Sequence, residues 1–146
     1  MSAVAQVTKT GPRTYTPVEP ILGGQLVEAR AAGRIGVAAV GSLKVLGVAL
    51  TDAQSPDAFT GLTTTGTDGR PLLNAAVLPT VVAVAYGGIE TKVVYAAAAT
   101  FGDSLIAAAA GQVTPAGLNP DARTIVGRCT APNGVALGAV GLMRTA

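Results

Sequence analysis

A mainly β fold is predicted for this 146-residue chain, and three observations predict it. Its apolar runs are short, rich in Val and Ile, and bounded by Gly, Pro and Asp turn signals. Helical periodicity is scarce: the alanine-rich stretches 96–100 and 107–110 are too short to stand alone, and 72–78 has room for one or two turns. Finally, two stretches repeat one another loosely. The first runs Gly23-Gly24-Gln25-Leu26-Val27, reaches Gly33-Arg34-Ile35, and closes on Val45-Leu46-Gly47-Val48-Ala49. The second runs Gly102-Asp103-Ser104-Leu105-Ile106, reaches Gly111-Gln112-Val113, and closes on Ile125-Val126-Gly127-Arg128-Cys129. Each unit reads as a strand, a Gly turn, a second strand, a loop, and a third strand with a central glycine. The expected architecture is a compact barrel-like or sandwich-like body of about eight short strands, with one or two short helices at most.

Taken in order, residues 1–22 carry Pro12, Pro17 and Pro20 without a sustained period. Proline removes backbone donors and favours extended chain, so this segment is expected to be an N-terminal arm, able to reach roughly 65 Å when stretched. Lys9, Arg13, Tyr15, Val18, Ile21 and Leu22 are its candidate contact residues, and the arm is expected to supply little to the core. Residues 23–146 form one β-rich domain. Within it, 23–51 is the first repeat unit. A Thr-rich surface loop follows over 51–71, with Thr63-Thr64-Thr65 as a polar ridge and Asp68-Gly69 as a turn. Residues 80–86 and 89–97 flank Gly87-Gly88 and read as a hairpin, because a Gly-Gly pair suits primed turns. The second unit spans 102–130. A further hairpin signal, Asn133-Gly134, separates 125–130 from 135–143.

Composition limits function. Charged residues make up 12% of the chain and hydrophobic ones 49%, so much of the surface is pale and self-association is expected, with a trimer favoured. The net charge is +2 and the ten basic residues never cluster in threes, which argues against a nucleic-acid partner. The absence of histidine removes the Ser-His and Cys-His nucleophile systems and His-ligated zinc. No phosphate-binding glycine loop is present either, so no cofactor or metal is expected. Cys129 is alone and reads as a small buried hydrophobe. Asp52, Asp57, Glu90 and Asp103 are the acids that a carboxylate enzyme would draw on. With no Trp and three Tyr, a sugar cleft lacks stacking partners, so the acids are expected to be solvated or to cap turns. The first residues show no basic stretch followed by an apolar core, so no secretory leader is expected. The uncharged run 71–89 contains Asn74, Pro79 and Gly87-Gly88 and reads as strands, not as a membrane helix.

At the repeat, the elements Gly23 to Val27, Gly33 to Ile35 and Val45-Leu46-Gly47-Val48-Ala49 resemble small phage head proteins, a group that includes the lambda-type head decoration proteins and related capsid cement proteins. The second copy matches less well. The resemblance implies a non-enzymatic protein on the exterior of a capsid, often trimeric, that bridges subunits of the major capsid protein and stabilises the shell. Other virion parts (tail-tube, head-completion or fibre-base proteins) form the second reading, and a small carboxylate-based enzyme or ligand-binding module the third.

Overall fold

The computed structural model describes residues 11–59, 63–73 and 79–146. These residues form twelve strands: β1 Arg13–Tyr15, β2 Leu26–Ala29, β3 Ile35–Val37, β4 Val45–Ala49, β5 Thr63–Thr65, β6 Pro71–Leu73, β7 Val82–Ala85, β8 Glu90–Val94, β9 Ser104–Ala107, β10 Val113–Pro115, β11 Ile125–Cys129 and β12 Val140–Thr145. The only helical elements among the described residues are single 3-10 turns. Two five-stranded sheets carry the fold, in the orders β1-β7-β4-β2-β3 and β8-β12-β11-β9-β10, and β5 and β6 form a separate ribbon. Every ladder is antiparallel.

The two orders are the same order. Strand for strand, β1, β2, β3, β4 and β7 of the first half take the places of β8, β9, β10, β11 and β12 of the second. The match extends to single bonds. Gly24 N–H donates to the Ala49 carbonyl at 2.7 Å, and Gly102 N–H to that of Cys129 at 2.9 Å. Arg30 N–H donates to Arg34 O and Ala108 N–H to Gln112 O, both at 2.8 Å. Even the irregularities recur. The β2–β4 ladder slips register opposite Leu46, and the β9–β11 ladder opposite Val126. In the tight turns after β2 and β9, Ala32 (φ 58°) and Ala110 (φ 56°) both adopt the left-handed conformation that alanine seldom takes. The repeat read in the sequence therefore continues past 23–51 and 102–130 to all five strands of each half.

Each sheet curls. The chain beyond β1 reaches β3 through a parallel bridge between Pro17 and Ile35, and the chain beyond β8 reaches β10 between Tyr95 and Val113. Neither sheet closes into a barrel. The curl encloses a core in each half. Ile21, Val27, Ile35, Ala49, Ala53, Val82 and Val84 fill the first. Ala99, Leu105, Val113, Cys129, Val135 and Met143 stand at corresponding places in the second, with Tyr95 added. Tyr95 fits because Gly141 replaces the first half's Val82: a Cβ at Gly141 would lie 3.1 Å from the Tyr95 ring and collide with Val135. Leu26, Ala38 and Val48 of the first half join the second half's cluster, so one apolar seam welds the halves together.

Several expectations are corrected. Residues 80–97 do not form a hairpin: β7 lies in the first sheet and β8 in the second. Gly87 and Gly88 do take positive φ (64° and 85°), but they turn the chain across the seam, where Gly88 N–H donates to the Thr145 carbonyl at 3.0 Å. The pairing across Asn133-Gly134 exists, between β11 and β12, although the returning strand begins only at Val140. The loop 51–71 contains a 3-10 turn at Pro56–Phe59 and β5, and it ends on the first residue of β6, with Gly69 N–H bonded to Gly66 O at the tip of the ribbon. Residues 72 and 73 are strand, not helix. No helix among the described residues is long and apolar enough to cross a membrane.

Residues 11–22 differ most from expectation. They supply β1, which pairs with β7 at the sheet edge, and Ile21, whose N–H and C=O both bond to Ala53. This segment is the first strand of the first repeat, and its counterpart in the second is the stretch from β8 to Thr100.

Candidate functional surface

The acids have structural duties. Asp52 accepts the Gly23 N–H at 2.8 Å and Asp103 the Thr100 N–H at 2.7 Å, each pinning the turn ahead of a repeat. Asp57 pairs with Arg34 and Asp121 with Arg123, and each arginine holds its carboxyl below the usual range. Glu90 accepts from the Thr130 hydroxyl. Glu28, 7% exposed, sits deepest. Burial pushes its carboxyl up, but hydrogen bonds from Ser42 and the Ala39 N–H and the charges of Arg30 and Lys44 outweigh this and bring it down overall. Asp52, Asp57, Glu90 and Asp103 are thus each engaged by a backbone amide, an arginine or a hydroxyl. No group of three metal-ligating side chains forms among the described residues.

The polar groups in the core serve the same end. Tyr95 donates to the Leu142 carbonyl at 2.8 Å, and burial, helped by its neighbour Cys129, raises its phenol well above the ordinary range. Cys129 is buried, as expected of a small hydrophobe.

What the molecule offers a partner is surface. A groove of about 360 Å³ runs along the seam, lined by Gly23, Gly24, Ala49 and Leu50 from the first half and by residues 90–94 and Val140 from the second. Leu50 (44% exposed) and Val140 (61%) stand out in its wall. Beneath it, on the buried face of β8 with Val93, the Thr91 hydroxyl has no hydrogen-bond partner among the described residues.

The six sequence candidates divide accordingly. Leu22 is exposed (56%), one residue before Gly23 of the groove. Val18 is 37% exposed. Arg13 is exposed with its guanidinium 5.7 Å above the Tyr15 ring, and Tyr15 itself packs against the first core. Ile21 is fully buried and has no surface to offer a partner. Lys9 lies outside the described residues. Leu50 and Val140 were not singled out by sequence, because an apolar residue in a β run carries no mark of which face it occupies.

The fold as a whole is similar to the head fibre gp8.5 N base of bacteriophage phi29, with a TM-score of 0.57 at 15% identity. The likeness covers 94% of this chain and 95% of that one. The two share a fold. A second likeness, to the pre-mature gene product 12 of bacteriophage phi29, has a TM-score of 0.49 at 23% identity and covers 97% of this chain but 23% of that one. No protein-family model matches the sequence, and no curated protein matches it.

Proposed function

We propose that the chain is a structural, non-enzymatic virion protein of a bacteriophage, held on the outside of the head by the major capsid protein. The observation that carries this reading is the end-to-end likeness of fold to a head fibre base, which spans nearly the whole of both chains. The occupied carboxylates and the absence of histidine agree with it.

The seam groove is the docking face in this reading. A capsid segment lying in it would cover the exposed Leu50 and Val140. A cyclic oligomer, a trimer in this reading, presents several such grooves at once, and linked weak contacts then act as one tight contact through effective concentration. By bridging neighbouring capsid subunits the protein stabilises the shell, because it binds assembled capsid in preference to free subunits. A second reading, the base of a head appendage, is favoured by the same likeness, since the solved neighbour is itself the base of a head fibre.

Co-sedimentation with capsids tests the proposal. The protein is expected to pellet at fixed stoichiometry, and Leu50→Asp with Val140→Asp to abolish pelleting while leaving the fold intact. Absence of pelleting by the native chain would overturn it. The two readings separate on the capsid's own melting temperature, which a bridging cement raises and a fibre base leaves unchanged.

A further inference from the structure

The seam between the halves is a head-to-tail contact, and it is used only once. On one side, the turn after β9 of the second half acts as a plug. Ala107, Ala108 and Gly111 are buried there. On the other side, the first half offers a socket at the start of β2 and the end of β3. Gln25 Nε2 donates to the Ala110 carbonyl at 3.1 Å, Gly41 N–H donates to the Ala107 carbonyl at 3.0 Å, and a Cβ on Gly111 would touch the Leu26 carbonyl at 2.9 Å.

Because the two halves are repeats, each bears both features, and one of each is left over. The unused plug is the first half's turn after β2. Arg30, Ala31, Ala32 and Gly33 are exposed there, although Ala32 and Gly33 have the same backbone conformation as Ala110 and Gly111. The unused socket is on the second half, where Asp103, Ser104 and Ala116 replace Gln25, Leu26 and Ala38. It is an open notch of about 520 Å³. Leu26 and Ala38 are buried under their plug, whereas Ser104 and Ala116 are only half-buried. Arg30 at the leftover plug is already held by Glu28 at 3.1 Å and Glu19 at 3.7 Å, so the match between the two leftovers rests on backbone shape and not on charge.

We infer that the turn at residues 30–33 of one copy seats in the notch beside Asp103, Ser104 and Ala116 of the next, repeating between chains the contact that joins the halves within one. A heterologous contact of this kind generates a ring when its rotation closes. It supplies the interface of the oligomer proposed above and does not depend on the capsid assignment.

Two variants in the full chain test it, read by native mass and sedimentation without any capsid present. The wild type is expected at three times the 14.3 kDa chain mass. Ala31→Glu blocks the plug and Ser104→Glu the socket, and each alone is expected to be a folded monomer. Mixed together, they are expected to give a 1:1 dimer that grows no further, since one intact plug and one intact socket remain. Ala116→Trp replaces Ser104→Glu if that variant unfolds. A monomeric wild type, an Ala31→Glu variant that keeps the full assembly, or a mixture that stays monomeric would overturn the inference. Loss of capsid pelleting with the ring intact would instead count against the capsid reading alone.

Discussion

Gly47 and Gly127 show how much one side chain decides here. They sit at equivalent register slips, opposite Val27 and Leu105, where the carbonyls of Ala85 and Arg144 come so close that no Cβ can enter. At Gly127 the added atom would lie 2.5 Å from the Arg144 oxygen, and at Gly47 it would collide with the Ala85 oxygen. Both obstacles are backbone and cannot rotate away. Gly47→Ala and Gly127→Ala are each expected to destabilise the protein by about 1–3 kcal/mol or more, the range of forced overpacking, measured by denaturant unfolding. Glu28 gives a prediction of a different kind. Its folded carboxyl titrates below its ordinary value, so its contribution is present above that value and is lost as pH falls through and below it. Glu28→Gln is therefore expected to lower the melting temperature at neutral pH, with the difference from wild type shrinking below about pH 4. A difference constant with pH would show that the charge of Glu28 does not matter. The exposed pairs Arg34–Asp57 and Arg123–Asp121 contribute little by comparison.

Among the elements, the insertion between β4 and β7 is the clearest departure from internal symmetry. The second half joins β11 to β12 through residues 130–139, whereas the first half uses 50–81 for the same connection and builds the β5–β6 ribbon in it. The shorter path is already outlined: Ala53 pairs with Ile21 as Val135 pairs with Ala99, and Gln54 N–H donates to the Pro79 carbonyl at 2.9 Å. Replacing residues 56–78 with a two- or three-residue linker is expected to leave both sheets folded, with an unchanged strand signature in circular dichroism, since loop closure changes slowly with length. Collapse of the fold would mean that the ribbon belongs to the core. Removal of residues 2–20 would have the opposite outcome from that anticipated for a free arm. It strips β1 from β7 and the Pro17 bridge from Ile35, leaving the edge of the first core open.

For the molecule as a whole, the internal repeat explains the repetitive sequence and part of its apolar composition. Each half must present an outer face that suits the other half, and Leu26, Ala38 and Val48 are the apolar residues that do so. At the two leftover faces Ser104 replaces Leu26 and Arg30 replaces Ala108. Polar residues at these two places are what the proposed contact between copies would meet, in keeping with an assembling surface that is not permanently buried.

Strand positions were legible because they depend on local chemistry: short apolar runs bounded by turn residues mark β2, β3, β4, β9, β10 and β11, although the structure matches Gly24, not Gly23, with Gly102, and each repeat starts earlier, at β1 and β8. The turn at Asp68-Gly69 and the burial of Cys129 were legible for the same reason. Partnership between strands was not. Gly87-Gly88 has hairpin chemistry in either setting, and only the competition between β8 pairing with β7 and β8 pairing with β12 decides where the strand goes. The role of residues 11–22 was hidden for a related reason: proline forbids helix wherever it stands, but whether an extended segment hangs free or completes a sheet depends on an unpaired edge waiting for it. Local residue types set which segments are extended and where they turn. The choice of neighbour, the facing of Leu50 and Val140 toward solvent, and the leftover plug and socket arise from contacts between residues far apart in the chain, and these exist only once the two halves have packed.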